Sequence, residues 1–406
     1  MRILQVSDTY PPDRGGLERV VQSLAHELAA RGHDSAVATL AHGDLPEVEE
    51  SGGVTVHRLT GWTQRLARFG EGDHLLHPTA PDLPLVRRLQ ALVDAWQPDI
   101  VHAHGWIVSS CTSLKLPDSA RLVHTLHDHG LVCAKKTLIH RDERDRECAG
   151  PTLRRCLGCA GDFYGAAKGT ALTLGLREGR RRLNRIDRFL PVTPAVARAS
   201  AVALTEDVTV VPPFVADHVV ADIDRPRPQG LPEGDFMLFV GALSEHKGVD
   251  LAIDAQRLMP DDVPLVIVGH GDAEPWRERG RGRDVRILQG LPYEQILATG
   301  QHAAVALVPS RWAEPFGLTA VEAMASGTPV VVTAMGALPE LVGDAGVVVP
   351  PEPQAWADEI GALLDDPARR ATLGAAGRAR AAPYAASVVV PRYLAAYAQA
   401  QASGRT

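Results

Sequence analysis

The 406-residue chain is 45% hydrophobic and carries a formal charge of −7 at pH 7, with a pI near 6.1. That length and composition can build two good cores and suggest two or three domains, and the acidic balance argues against a general nucleic-acid binder. No apolar run approaches the roughly 18 to 20 residues of a membrane span.

The N-terminus, MRILQVSD, enters a strand at once and leaves no room for a signal peptide. With five cysteines in so long a chain, the expectation is a cytoplasmic protein with reduced thiols. Ile3 to Ser7 reads as a parallel strand, and Leu17, Val20, Val21, Leu24 and Leu28 mark one face of the helix that follows. Gly15 and Gly16 fall at the turn between them, where small residues let the backbone approach a phosphate or sugar; a bare turn is the equal alternative. The turn is not G-x-G-x-x-G, which removes the best evidence for nicotinamide binding.

Strand and helix patterns then alternate: Ser35 to Thr39, Val54 to Leu59, a helix from Leu83 to Trp96, Ile100 to Ala103, and Arg121 to Leu126. Apolar strands separated by helices indicate an α/β protein with parallel sheets, whose ligands bind beyond the carboxyl ends of the strands. His127 and Asp128 lie just past one such end, and His104 past another; each reads as a core histidine or carboxylate as readily as a site residue.

From 131 to 161 the periodicity fades and four cysteines cluster: Cys133, Cys148, Cys156 and Cys159. One reading is a structural zinc site; incidental thiols, a disulfide or an iron–sulfur centre are the others. The basic run Arg177 to Arg188 suits either a solvated helix or a peripheral contact with anionic lipid. Ile186 to Val192 reads as the last strand of a first domain, and VVPPFVADHV with its Pro-rich sequel reads as a linker. The domains are expected at 1–212 and 213–384.

In the second half, Phe236 to Leu243, Leu265 to Gly269, Val285 to Gln289, Ala303 to Val308, Val330 to Thr333 and Gly346 to Val349 read as strands. Lys247 and Gly248 stand at a helix start, where a cation, free amides and the helix dipole suit a phosphate. The densest stretch is PSRWAEPFGLTAVEAMASG, from Pro309 to Gly327. Pro315 and Gly317 shape a loop, Leu318 to Ala325 runs at helical spacing, and the amides of Phe316, Gly317 and Leu318 are helix-start donors. Glu314 and Glu322 bracket that ring of donors; the alternative is a pair of solvated caps.

The spacing E-P-F-G-L-x-x-x-E-A-M-A-x-G-x-P-V resembles the signature of retaining glycosyltransferases of family 4, which have the GT-B fold. The resemblance implies two Rossmann-like domains facing each other across a cleft, with a C-terminal helix, 385–402, packing back onto the first. It implies a nucleotide-sugar donor, UDP-linked or similar, and an acceptor the sequence does not identify. Gly15, Gly16, Lys247 and the amides of Phe316, Gly317 and Leu318 would face the donor phosphates, with Leu291 and Pro292 beside the base. Glu322 would hold the ribose, Glu314 the reacting sugar, and His127, in T-x-H-D, would stand beside the transferred sugar; His104 and Asp128 would line the acceptor side. Without a family-like Asp-x-Asp, no catalytic metal is expected. The family commonly has Arg where this chain has Ala242, and Arg311 is the candidate to replace it. That departure keeps two alternatives open: a non-catalytic nucleotide-sugar binder, and a hydrolase resembling nucleotide-sugar 2-epimerases.

Overall fold

Short apolar segments, too brief and too β-branched for helices, build both sheets. The computed structural model describes residues 1–13, 15–62, 77–140, 146–204, 208–221 and 223–403. Its strands are β1 (Arg2–Ser7), β2 (Asp34–Leu40), β3 (Val48–Ser51), β4 (Val54–Leu59), β5 (Ile100–His104), β6 (Arg121–Leu126), β7 (Arg188–Pro191), β8 (Met237–Ala242), β9 (Leu265–His270), β10 (Val285–Gln289), β11 (Val305–Val308), β12 (Val330–Thr333) and β13 (Val347–Val349). Among the described residues they form a seven-stranded sheet, ordered β3-β4-β2-β1-β5-β6-β7, and a six-stranded sheet, ordered β10-β9-β8-β11-β12-β13. The fold is thus two parallel-sheet α/β units, the GT-B class.

The chain divides into one unit of residues 1–141, 149–213 and 388–406, and a second of residues 142–148 and 214–387. In the first, the strand order reverses between β1 and β5, and in the second between β8 and β11. At such a reversal adjacent crossovers leave on opposite faces of the sheet, opening a crevice beyond the strand ends. The parallel register sets Gln5 beside His102 and Ser7 beside His104 on β1 and β5, and His104 beside Thr125 on β5 and β6.

Among the described residues every strand pairing is parallel except that of β3 with β4. The sequence VEES gives β3 no apolar signal, and its side chains are exposed or half-buried, so periodicity could not reveal it. A second departure lies in the cysteine-bearing segment, expected to be irregular. Helices Leu153–Tyr164 and Ala166–Gly179 occupy its end and beyond. The Thr152 hydroxyl caps the first by accepting from the Arg155 amide, and Gly165 turns the chain between them. Part of that segment, 141–145, lies outside the described residues.

The basic run is the end of the second of these helices and a 3₁₀ turn, Arg180–Arg185, leading to β7. Arg185 donates to the Thr112 carbonyl at 2.9 Å and Arg188 to the Thr209 hydroxyl at 2.9 Å. Helix Ala386–Ala402 is grouped from Val388 onward with the first unit, where Tyr393 and Tyr397 are fully buried. No described helix is long and apolar enough to cross a membrane.

Candidate functional site

In the second unit the loop after β11 folds Ser310, Trp312 and Glu314 onto Lys247. Lys247 sits on a 3₁₀ turn, Glu245–Lys247, and Gly248 follows with φ +76°. A Cβ on Gly248 would collide with the Pro309 carbonyl, so glycine is required where this turn closes against the end of β11. Lys247 Nζ then lies 2.9 Å from Glu314 Oε2 and 3.3 Å from Oε1, and 4.8 Å over the Trp312 ring. Ser310 Oγ and Trp312 Nε1 each donate to Glu314 Oε2 at 2.8 Å.

Glu314 is only 8% exposed. Burial opposes its ionisation, but the Lys247 charge and the hydrogen bonds from Lys247, Ser310 and Trp312 outweigh it and hold its pKa below the ordinary carboxylate value. The result is a buried carboxylate paired with a half-buried cation.

Helix Leu318–Ala325 begins immediately after. Gly317 caps it with φ +103°, and a Cβ there would meet Leu338 at 2.7 Å. The first amides of a helix lack intrahelical acceptors, so the start of this helix offers donors next to Lys247 and Glu314. Pro315 and Phe316 are buried beneath it, with Phe316 edge-on to Tyr384 at 5.2 Å. One turn into the helix, Glu322 accepts from the Tyr293 hydroxyl at 2.7 Å. Pro292 caps the helix that carries Tyr293, and Leu291 packs on the cluster of Phe236, Leu238, Val266 and Val268. Arg311 is turned to Asp250, Nη2 to Oδ2 at 3.0 Å, so Lys247 is the cation on Glu314. Sequence reading missed Ser310, Trp312 and Tyr293. The first two share the Glu314 loop and could have been suspected as donors, whereas nothing in the local sequence around Tyr293 signals its partner.

In the first unit, Gly15 is extended and caps helix Gly16–Ala30. A Cβ at Gly15 would collide with the Glu18 carboxylate, which accepts from the Thr9 hydroxyl. The strand ends bring three further groups together. His104 Nδ1 is 2.8 Å from His127 Nε2, and His104 Nε2 is 2.7 Å from Gln5 Oε1. Beside them, His102 meets the Tyr397 hydroxyl at 2.8 Å and the Thr125 hydroxyl at 2.7 Å. Burial pushes His102 and His104 well below the ordinary histidine value and His127 down to about 4, so this file of imidazoles is neutral near pH 7.

Asp8, at the end of β1, accepts from the amides of Trp106 at 2.9 Å and Ile107 at 2.6 Å. Burial raises its pKa to about 6 against the pull of Lys136, whose Nζ is 4.0 Å away. Asp128 accepts from the Gly130 amide at 2.6 Å and stands 3.9 Å from Lys136. A cavity of about 130 Å³ opens here, lined by His127, Asp128, Trp106, Leu176, Arg180 and Leu183 among others.

Among the described residues no group of three or more His, Cys, Asp or Glu could hold a metal ion. Cys148 belongs to the second unit, and Cys133, Cys156 and Cys159 to the first. Burial pushes the Cys133 thiol up to about 11, and the Cys159 thiol acts on it in the same direction.

Residues 14–218 match the family described as Glycosyltransferase Family 4, and residues 222–380 match Glycosyl transferases group 1. A D-inositol 3-phosphate glycosyltransferase of Xylanimonas cellulosilytica is 32% identical over 96% of this chain and 92% of its own length. Among solved structures, a sucrose-phosphate synthase from Thermosynechococcus elongatus superposes with a TM-score of 0.77 at 22% identity, covering 99% of this chain and 100% of that one. HepE of Anabaena, solved with UDP-glucose, superposes with a TM-score of 0.69 at 19% identity, over 98% and 100%.

Proposed function

The chain belongs to the family 4 glycosyltransferases, and we propose that within this family it moves a hexosyl group from a UDP-sugar to an acceptor with retention of anomeric configuration. The observation that carries the reading is the Lys247–Glu314 pair at 2.9 Å, set beside the N-terminus of helix Leu318–Ala325. A cation and a ring of amide donors stabilise the diphosphate as it gathers charge on leaving. An ionised, buried carboxylate stabilises the opposite charge on the anomeric carbon.

Glu322, steadied by Tyr293, holds the ribose hydroxyls, and Leu291 and Pro292 border the base. The UDP assignment draws support from the UDP-glucose held by HepE. On the acceptor side, Asp128 and the neutral His127 border the cavity of the first unit, where the acceptor hydroxyl would be received. Retention, with attack on the face the leaving phosphate occupies, follows the family's chemistry.

One observation favours a second reading, a binder or hydrolase. Ala242 supplies no charge at the end of β8, and Arg311 is paired with Asp250, so neither position provides Lys247 with a second cation. Incubating the protein with UDP-hexoses, with and without an acceptor panel, separates the two. Transfer gives UDP and a glycosylated product together. A hydrolase releases UDP and free sugar without an acceptor, and a binder returns its donor intact.

A further inference from the structure

We infer that Gln5 is a positioning residue: acting through His104, it fixes which ring nitrogen of His127 carries the proton. This inference rests on the proposed role of His127 for its consequence, but not for its test.

The argument is one of donors and acceptors. The Gln5 oxygen, which can only accept, lies 2.7 Å from His104 Nε2, so that nitrogen bears the hydrogen. His104 is fully buried and neutral, and a neutral imidazole has one N–H and one bare nitrogen. His104 Nδ1 is therefore bare, and the 2.8 Å contact to His127 Nε2 is donated by His127. His127 is neutral as well, which leaves its Nδ1 with a lone pair.

The neighbouring His102 shows why Gln5 is the determinant. Both partners of His102 are hydroxyls, Tyr397 and Thr125, and a hydroxyl donates or accepts as required. That file imposes no direction, whereas an amide oxygen does. The Gln5 amide nitrogen is buried without a hydrogen bond. The consequence is that His127, at the wall of the cavity, receives a hydrogen bond from a hydroxyl there and cannot donate one through Nδ1. That suits a group steering the proton of an incoming alcohol.

The test is ¹⁵N NMR of the full chain labelled in histidine, with His127 assigned by difference against His127→Asn. The expected result is a neutral His127 with Nε2 protonated and Nδ1 bare. Gln5→Met removes the directing oxygen and also the poorly partnered amide nitrogen, so the fold is expected to tolerate it. It should turn the His127 signal into a mixture of tautomers. Turnover should fall about three- to tenfold, with the donor KM within twofold. A His127 protonated on Nδ1 in the unaltered protein, or a tautomer unmoved by Gln5→Met, overturns the inference. If the tautomer is as stated but His127→Ala transfers sugar at the normal rate, the proposed role of His127 fails while the inference about Gln5 stands.

Discussion

Asp8 in the first unit and Glu314 in the second are both buried carboxylates just past a strand at the reversal point of their sheet, yet they end in opposite states. Glu314 has a cation at 2.9 Å and two neutral side-chain donors on the same oxygen, and its pKa falls below the ordinary value. Asp8 has two backbone amides, but its cation is 4.0 Å away and shared with Asp128 at 3.9 Å, and its pKa rises to about 6. Desolvation is similar in the two places. What differs is whether a full charge stands in contact, because amide donors alone offset only part of the loss of water. The second unit thus holds a permanently charged centre, and the first holds groups that are neutral or near their titration point.

The strongest way to break this contrast is Lys247→Met. It leaves Glu314 buried without its cation, a change that typically costs about 3 kcal/mol or more, and UDP binding should weaken more than tenfold. The pH dependence should also reverse. In the unaltered protein Glu314 contributes stability above the ordinary carboxylate pKa and loses it as pH falls through the depressed value. In the variant the raised carboxyl favours low pH instead. Melting temperatures from pH 3 to 8 and UDP titration measure both effects; a protein unchanged in each would show that the pair does not matter.

Glu314→Gln keeps the shape and removes only the charge. Turnover should fall about 10²-fold, equivalent to about 2.7 kcal/mol of transition-state stabilisation, with UDP affinity nearly intact. Glu322→Gln should instead raise the donor KM, since a ribose contact exists in ground and transition states alike. Equal effects of the two substitutions on kcat and KM would refute the division of roles.

Asp8→Asn sharpens the other side. With a folded pKa of about 6 against an unfolded value of 3.8, native Asp8 retains its proton longer than the unfolded chain does. Its penalty is therefore absent below about pH 4, grows through pH 6 and stays constant above, at about 3 kcal/mol. The stability of the unaltered protein relative to Asp8→Asn should decline across that window, as denaturant midpoints at each pH would record. A flat difference would mean that Asp8 titrates normally.

The smallest effect is expected from Tyr293→Phe, which removes one hydrogen bond to Glu322 worth about 0.5 to 1.5 kcal/mol. Donor KM should rise severalfold while kcat holds, and kinetics with a saturating acceptor would detect it. A fall in kcat with KM unchanged would detach Tyr293 from ribose binding.

The sequence by itself determined the elements that depend on local pattern. Apolar runs marked the parallel strands because both faces of each are covered, and the loop-and-helix string from Pro309 to Gly327 located the charged centre because its residues are contiguous in the chain. Strand β3 escaped because an exposed edge strand need not be apolar. Helix Leu153–Tyr164 was lost behind the cysteines, although Thr152 ahead of it and Gly165 behind it were capping signals. The sequence could nominate Lys247 and Glu314 separately, but not their contact across 67 residues. Only the tertiary structure decided that Gln5, His104 and His127, spread over more than a hundred residues, would meet. Parallel register and sheet order set those distances, and they arise from how whole strands pack rather than from any local run of residues. The protonation states followed from the same packing, since burial and the identity of the nearest partner, not residue type, fixed which groups carry charge.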